Sequence, residues 1–301
     1  MPVALCEGRV AIVTGAGRGV GRAYALMLAA HGARVLVNDL GSAANGTGSD
    51  QTPAFDVVDE IRAAGGQAAV DTNDVSDWSG AASMVRNAIE HFGGLDILVN
   101  NAGILRDRML VNMTEEDWDA VIRVHLKGTF APTHHAANHW RMRAKSGETN
   151  DARIINTTSH SALFANIGQV NYAAAKAGIA AFSQVAAREL QRIGVTVNAI
   201  APRANTRMTE GLREWTPEQI EMRQPEWVAA LVTWLASAES RSISGRVFEA
   251  WGYGFGVVES WQHGPSTAAS KEPAELGERI RQIARFARAN AGIDRDTWFD
   301  P

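Results

Sequence analysis

The chain has 301 residues, 46% of them hydrophobic, and a formal net charge of −4. That is enough apolar material for a large core in one α/β domain, while the near balance of charge excludes the basic surface of a nucleic-acid binder and the acidic block of a disordered tail. Cys6 is the only cysteine, so no internal disulfide is possible and a reducing compartment is expected.

Residues 9–14 form a short, almost wholly apolar run suited to a strand covered on both faces. It begins too early to leave room for a signal peptide. It runs into Gly15-Ala-Gly17-Arg18-Gly19-Val20-Gly21, and a helical pattern follows from Arg22 to His31. Strand, glycine turn and helix together make a phosphate site. The glycines let the backbone approach a pyrophosphate, and the helix start supplies amide donors and the positive end of a dipole. Gly15, Arg18, Gly19, Val20 and Gly21 are therefore candidate cofactor contacts.

Residues 34–39 predict a second strand ending in Asp39. An acid about 20 residues after the glycine turn is placed for the ribose 2′-hydroxyl of a dinucleotide. It would repel a 2′-phosphate, so NAD is expected over NADP. Arg18 pulls weakly the other way, because a basic group in the turn could meet that phosphate. The Gly-, Ser- and Asn-rich stretch 41–53 reads as a loop. A helix is expected over 55–64 and a third strand over 67–70. Asp74 and Val75 follow it, either as contacts to an adenine amino group or as ordinary turn residues.

A helix is expected over 79–92 and a fourth strand over 95–99, running into Asn100-Asn101-Ala102-Gly103. Small residues there would let a cofactor ring come close to the backbone. Thr114 looks like a helix cap, and the pattern it opens runs toward Lys145 with interruptions near Gly128 and Pro132. His135 and His139 stand four apart, but with no third ligand the expectation is no metal. A fifth strand, 153–157, places Ser159 just beyond its end, where open α/β sheets put their ligands.

The next helix carries Tyr172-Ala-Ala-Ala-Lys176. Residues four apart share a helix face. A free phenol has a pKa of about 10, and a nearby cation lowers it. Tyr172 is thus a candidate to exchange a proton with a substrate oxygen. A sixth strand, 195–200, leads to Ala201-Pro202. Residues 203–224, with anchors Met208, Leu212 and Trp215, read as a flap. A helix over 225–236 and a last strand over 246–250 follow. Beyond Gly264-Pro265, Leu276, Ile280, Ile283, Ala284 and Ala287 form a helical stripe. The expected layout is one domain, 1–264, with a C-terminal extension, 265–301, packed on it. No apolar run is long enough to span a membrane, and the chain end is not a peroxisomal signal, so a cytoplasmic protein is expected.

Taken together, Thr14-Gly15-x-x-x-Gly19-x-Gly21, Asn100-Asn101-Ala102-Gly103, Ser159 and Tyr172-x-x-x-Lys176 resemble the short-chain dehydrogenase/reductase family over residues 8–255. The resemblance implies a Rossmann-type, doubly wound, seven-stranded parallel sheet in three layers, and a homodimer or homotetramer. It implies hydride transfer between a nicotinamide and a secondary alcohol or ketone. Tyr172 would be the acid–base, Lys176 a ligand of the nicotinamide ribose, and Ser159 a hydrogen-bond partner of the substrate oxygen. Asn38-Asp39-Leu40-Gly41, residues 101–108, Val124-His125-Leu126-Lys127-Gly128 and Gly168-Gln169-x-Asn171-Tyr172 are similar to the (3R)-hydroxyacyl-CoA dehydrogenase domain of multifunctional β-oxidation enzymes. The implied substrate is a 3-hydroxyacyl-CoA. A hydroxysteroid dehydrogenase comes second and a 3-oxoacyl-carrier-protein reductase third, with a non-catalytic NAD-binding regulator or a scaffold as readings outside the enzymes. Two departures stand out. His125 replaces the Asn that in most members holds a relay water. Pro202-Arg203 replaces Pro-Gly, which leaves Pro202, Thr206 and Arg207 as candidates near the nicotinamide carboxamide.

Overall fold

The computed structural model describes residues 4–205 and 215–288. The elements alternate along the chain: β1 (Val10–Thr14), α1 (Gly19–Ala30), β2 (Arg34–Asn38), α2 (Thr52–Ala63), β3 (Gln67–Asp71), α3 (Trp78–Phe92) and β4 (Ile97–Asn100). Then come α4 (Glu115–Ile122), a π-helical turn (Arg123–Lys127), α5 (Gly128–Lys145), β5 (Ala152–Thr157), the single-turn α6 (His160–Leu163) and α7 (Val170–Leu190). The chain continues through β6 (Val195–Pro202), α8 (Pro217–Glu221), α9 (Pro225–Ala236), β7 (Val247–Trp251), β8 (Gly254–Val258) and α10 (Pro273–Phe286).

The sheet order is β3-β2-β1-β4-β5-β6-β7-β8. Every neighbouring pair from β3 to β7 is parallel. The order reverses between β1 and β4, and the carboxyl ends of these strands form the crevice in which such sheets bind ligands. Alternate residues of β1 serve opposite faces. Ala11 and Val13 pack with α1, α2 and α9, while Val10 and Ile12 pack with α3, α5 and α7. A strand buried on both sides has no polar face to show, which is why residues 9–14 read as a continuous apolar run.

The expected count of seven strands is corrected to eight. β8 returns antiparallel along β7 after a two-residue link, Gly252-Tyr253. A Cβ at Gly252 would stand 2.7 Å from the Met222 backbone, so the link needs glycine to pack there. The alternation Phe255, Val257 in β8 is brief, and both side chains are largely exposed, so the strand has little hydrophobic signature. The long helical pattern after Thr114 is real, and it is split by the π-turn at Arg123–Lys127. Thr114 caps it through the Asp117 N–H. Pro132 sits inside α5 without ending it.

α10 forms where the apolar stripe predicts. None of its residues is buried among the described residues, and Ile280 remains 49% exposed. Met208, Leu212, Thr206 and Arg207 lie outside the described residues, as does Trp298.

Candidate active site

The nucleotide end of the cleft is built by β1, β2 and β4. The Thr14 hydroxyl, at the end of β1, accepts the N–H groups of Asn101 (2.9 Å) and Ala102 (3.1 Å). The Asn101 amide reaches back to the carbonyls of Thr14 and Gly15. The two turns are thereby bound edge to edge. Space is tight enough to dictate residue type at two positions. A Cβ at Gly21 would fall 2.1 Å from the Gly15 carbonyl, and one at Gly103 would fall 2.3 Å from the His125 ring.

A cleft of about 170 Å³ opens here. Gly15, Arg18, Gly19, Val20 and Asp39 line its phosphate and ribose side, and Asp74, Val75, Asn101, Ala102 and Gly103 line the rest. Gly21 instead lies beneath the turn, fully packed. α1 opens on the cleft with no side-chain cap on its first amides, so its orphan donors are available for an anion. Asp39 is held at both oxygens: Oδ2 accepts the Gly17 N–H (2.8 Å) and Oδ1 the Gly41 N–H (2.7 Å). Arg18 is drawn to Asp50 at 3.1 Å. Asp74 is more committed to the protein than a bare adenine contact would be. Its Oδ1 accepts from the Ser76 backbone and hydroxyl, and Oδ2 pairs with Arg123 at 3.2 Å.

Behind Gly103 and Ile104 of the cleft wall lies His125, and beside it stands a second group, Tyr172, Lys176 and Ser159. Tyr172 and Lys176 stand one turn apart on α7, with Lys176 Nζ 5.8 Å from the phenol ring centroid. Lys176 is buried and donates to the Thr157 carbonyl at 2.6 Å. Ser159, just beyond β5, lies near enough to the phenol to lower its pKa, and it caps α6 by accepting the Ser161 N–H. His125 is buried with its ring edge-on to Tyr172, centroids 5.1 Å apart. Its Nε2 lies 2.7 Å from the Ile104 carbonyl oxygen. Pro202 closes β6 beside Ala250 of β7. Arg203, where the resemblance implies glycine, sits over the Trp251 ring with Cζ 3.8 Å from the centroid.

Electrostatics correct one expectation. The ammonium was expected to pull the phenol down. Burial instead dominates and raises the Tyr172 pKa above its ordinary value; the nearby Ser159 side chain lowers it, and the Asp107 carboxylate raises it further. Lys176 is itself pushed down to about 7 by burial, so at neutral pH its charge is only partly present. A desolvated base gives up its proton more readily. The two shifts move the groups apart, so the buried phenol is a weaker acid than the buried ammonium beside it.

Three residues that hold the site were given no role from sequence. Asn171 donates to the carbonyls of Arg106 and Asp117 and accepts the Tyr172 N–H at 2.7 Å, so it clamps the start of α7 to two other segments. Gln169 reaches Asp107 at 2.7 Å. Thr158 donates its hydroxyl to the Lys176 carbonyl at 2.7 Å. The first two stand within motifs that carry the family resemblance. Nothing in the sequence marks Thr158. His135, singled out for its spacing to His139, meets the Trp78 carbonyl. Among the described residues, no group of three or more His, Cys, Asp or Glu side chains is arranged to hold a metal.

A doubly wound sheet, a glycine turn under an open helix start, and a serine, tyrosine and lysine grouped beside the same crevice wall define a nicotinamide-dependent oxidoreductase. The short chain dehydrogenase family model matches residues 9–217, and the chain belongs to that family. It is 48% identical over 256 residues to the hydroxyacyl-CoA dehydrogenase ChsB1 of Mycobacterium tuberculosis, covering 82% of this chain and 78% of that one. It is 39% identical over 294 residues to the mouse peroxisomal multifunctional enzyme type 2. That match covers 94% of this chain but spans only 38% of the mouse enzyme. The crystal structure of a short chain dehydrogenase from Mycobacterium avium superposes with a TM-score of 0.86 at 50% identity, covering 96% of this chain and 98% of that one. No helix among the described residues is long and apolar enough to cross a membrane.

Proposed function

We propose that the chain interconverts a 3-hydroxyacyl-CoA and its 3-oxo form with NAD as the hydride carrier. The observation that carries the reading is the grouping of Ser159, Tyr172 and Lys176 beside His125, next to a cleft that presents a pinned carboxylate, Asp39. The names of the relatives from M. tuberculosis and mouse supply the acyl-CoA class.

The residues fit a dinucleotide. The open amides of α1 suit its pyrophosphate, Asp39 a ribose diol, and Lys176 with Tyr172 the second ribose. Pro202 and Thr206 are assigned to the carboxamide. When bound, the nicotinamide accepts or gives the hydride. Tyr172 takes the alcohol proton in oxidation and returns it in reduction. Ser159 donates a hydrogen bond to the substrate oxygen, where charge develops in the transition state. NAD is favoured over NADP because both Asp39 oxygens are oriented by backbone donors, while Arg18, the one basic group in the turn, is engaged by Asp50. His125 packs against the phenol and is assigned to hold it in line.

The test is a rate comparison with NAD and NADP on (3R)-3-hydroxyacyl-CoA esters of several lengths and a 17β-hydroxysteroid. The reading expects NADH formation with at least one ester. Turnover of the steroid alone would move the substrate class to hydroxysteroids, and turnover of none would leave only a nucleotide-binding protein.

A further inference from the structure

Ser159 stands between two anchors. Upstream, Thr158 donates its backbone N–H to the Ile200 carbonyl of β6 at 2.8 Å and its hydroxyl to the Lys176 carbonyl. Downstream, His160 places Nδ1 2.7 Å from Glu249 Oε1. Glu249 lies inside the sheet, paired with Ala201 of β6 and Gly256 of β8. Both members are buried, His160 at 8% and Glu249 at 6% exposure. The contact suits an Nδ1–H donating to the Glu249 carboxyl oxygen.

The hydride-transfer scheme uses neither residue. Burying two ionisable groups is unfavourable unless something is gained in return. The local chain shows what is gained. α6 is a single turn of four residues, too short to hold itself. Just past it, Ala165 has φ of 42°, the one positive value at a non-glycine position among the described residues. Ser159 caps this weak turn through the Ser161 N–H, so any shift of α6 turns the serine with it. His160 stacks on Phe164, centroids 4.6 Å apart, and its bond to Glu249 is the polar tie of the turn to the sheet, beside the apolar packing of Leu163 on Ala199 and Val247.

We infer that His160 and Glu249 are positioning residues for Ser159: the pair fixes the chain on the far side of the serine so that its hydroxyl keeps its aim at the Tyr172 phenol and the substrate oxygen. The inference rests on the reading of Ser159 as the donor to that oxygen. Only Nδ1 does this work. His160 Nε2 has no hydrogen-bond partner among the described residues. An asparagine amide nitrogen falls near the Nδ1 position, whereas a glutamine amide nitrogen falls near Nε2.

The experiment compares His160→Asn, His160→Gln and Ser159→Ala, with the Gln variant also made in the Ser159→Ala background. The full chain is assayed with NAD and a (3R)-3-hydroxyacyl-CoA, alongside NADH binding followed by fluorescence. His160→Gln should lower kcat by roughly 10- to 100-fold, the scale of a misplacement of about 1 Å, with the NADH dissociation constant unchanged. His160→Asn should stay within about 3-fold of wild type. In the Ser159→Ala background, His160→Gln should add less than about 2-fold, because residues acting as one unit are not additive. An equal loss in both backgrounds, or equal activity of the Asn and Gln variants, overturns the positioning role while leaving Ser159 in place. Full activity of Ser159→Ala instead overturns the reading of Ser159 and this inference with it.

Discussion

Acid should destabilise this protein in part through a deeply buried imidazole, His125. The residue sits in the π-turn between α4 and α5 at 1% exposure. Burial, and then the Lys176 ammonium, push its pKa down to about 3, with the Ile104 carbonyl partly opposing them. An imidazole in an unfolded chain titrates near 6.5. As pH falls below that value, the unfolded chain takes up a proton that native His125 refuses. The stability that neutral His125 contributes is therefore complete above about pH 6.5 and is lost as pH falls toward about 3. Each pH unit in that window removes about 1.4 kcal/mol, so going from pH 7 to pH 5 removes about 2 kcal/mol through this group. His125→Asn has no such proton. Urea unfolding of both proteins at pH 7, 6 and 5, at one protein concentration, isolates the effect, since the carboxylates titrate in both. The wild type should lose about 2 kcal/mol more than the variant. Parallel losses in the two proteins would refute the burial argument for His125.

Tyr172→Phe should bind NADH as the wild type does and lose at least about 10²-fold in rate, the scale of general acid–base catalysis; near-normal turnover would remove Tyr172 from its role. Asp39→Asn should narrow the preference for NAD over NADP by deleting a like-charge repulsion, and Asp50→Asn should narrow it further by releasing Arg18. A wild type that prefers NADPH would show that Arg18 outweighs Asp39. Removal of residues 265–301 should change oligomer mass or substrate KM while NADH binding persists. α10 exposes an apolar stripe, and an isolated helix of its length is marginal in water, so we propose that it docks on a neighbouring copy. Unchanged mass and kinetics after truncation would contradict that proposal.

Much of the nucleotide half was legible in residue order. The apolar run of β1, the glycines after it and the acid closing β2 are local signals, because steric limits on φ, helix-start chemistry and strand burial act over a few neighbouring residues. The pairing of Tyr172 with Lys176 was legible for the same reason, as helical geometry alone sets residues four apart on one face. β8 was not legible, since its alternation spans two exposed side chains and its pairing depends on how Gly252 packs against Met222. The direction of the Tyr172 shift was also beyond the sequence. Desolvation sums over atoms from segments far apart in the chain, and in this packing it outweighs the lowering influence of Ser159. The Arg18–Asp50 pair, 32 residues apart, and the His160–Glu249 pair, 89 apart, exist only because the sheet brings their strands and loops together. Hydrogen bonds and ion pairs act through space at about 3 Å, and no periodicity along a chain encodes which distant carboxylate will arrive beside a given cation or imidazole.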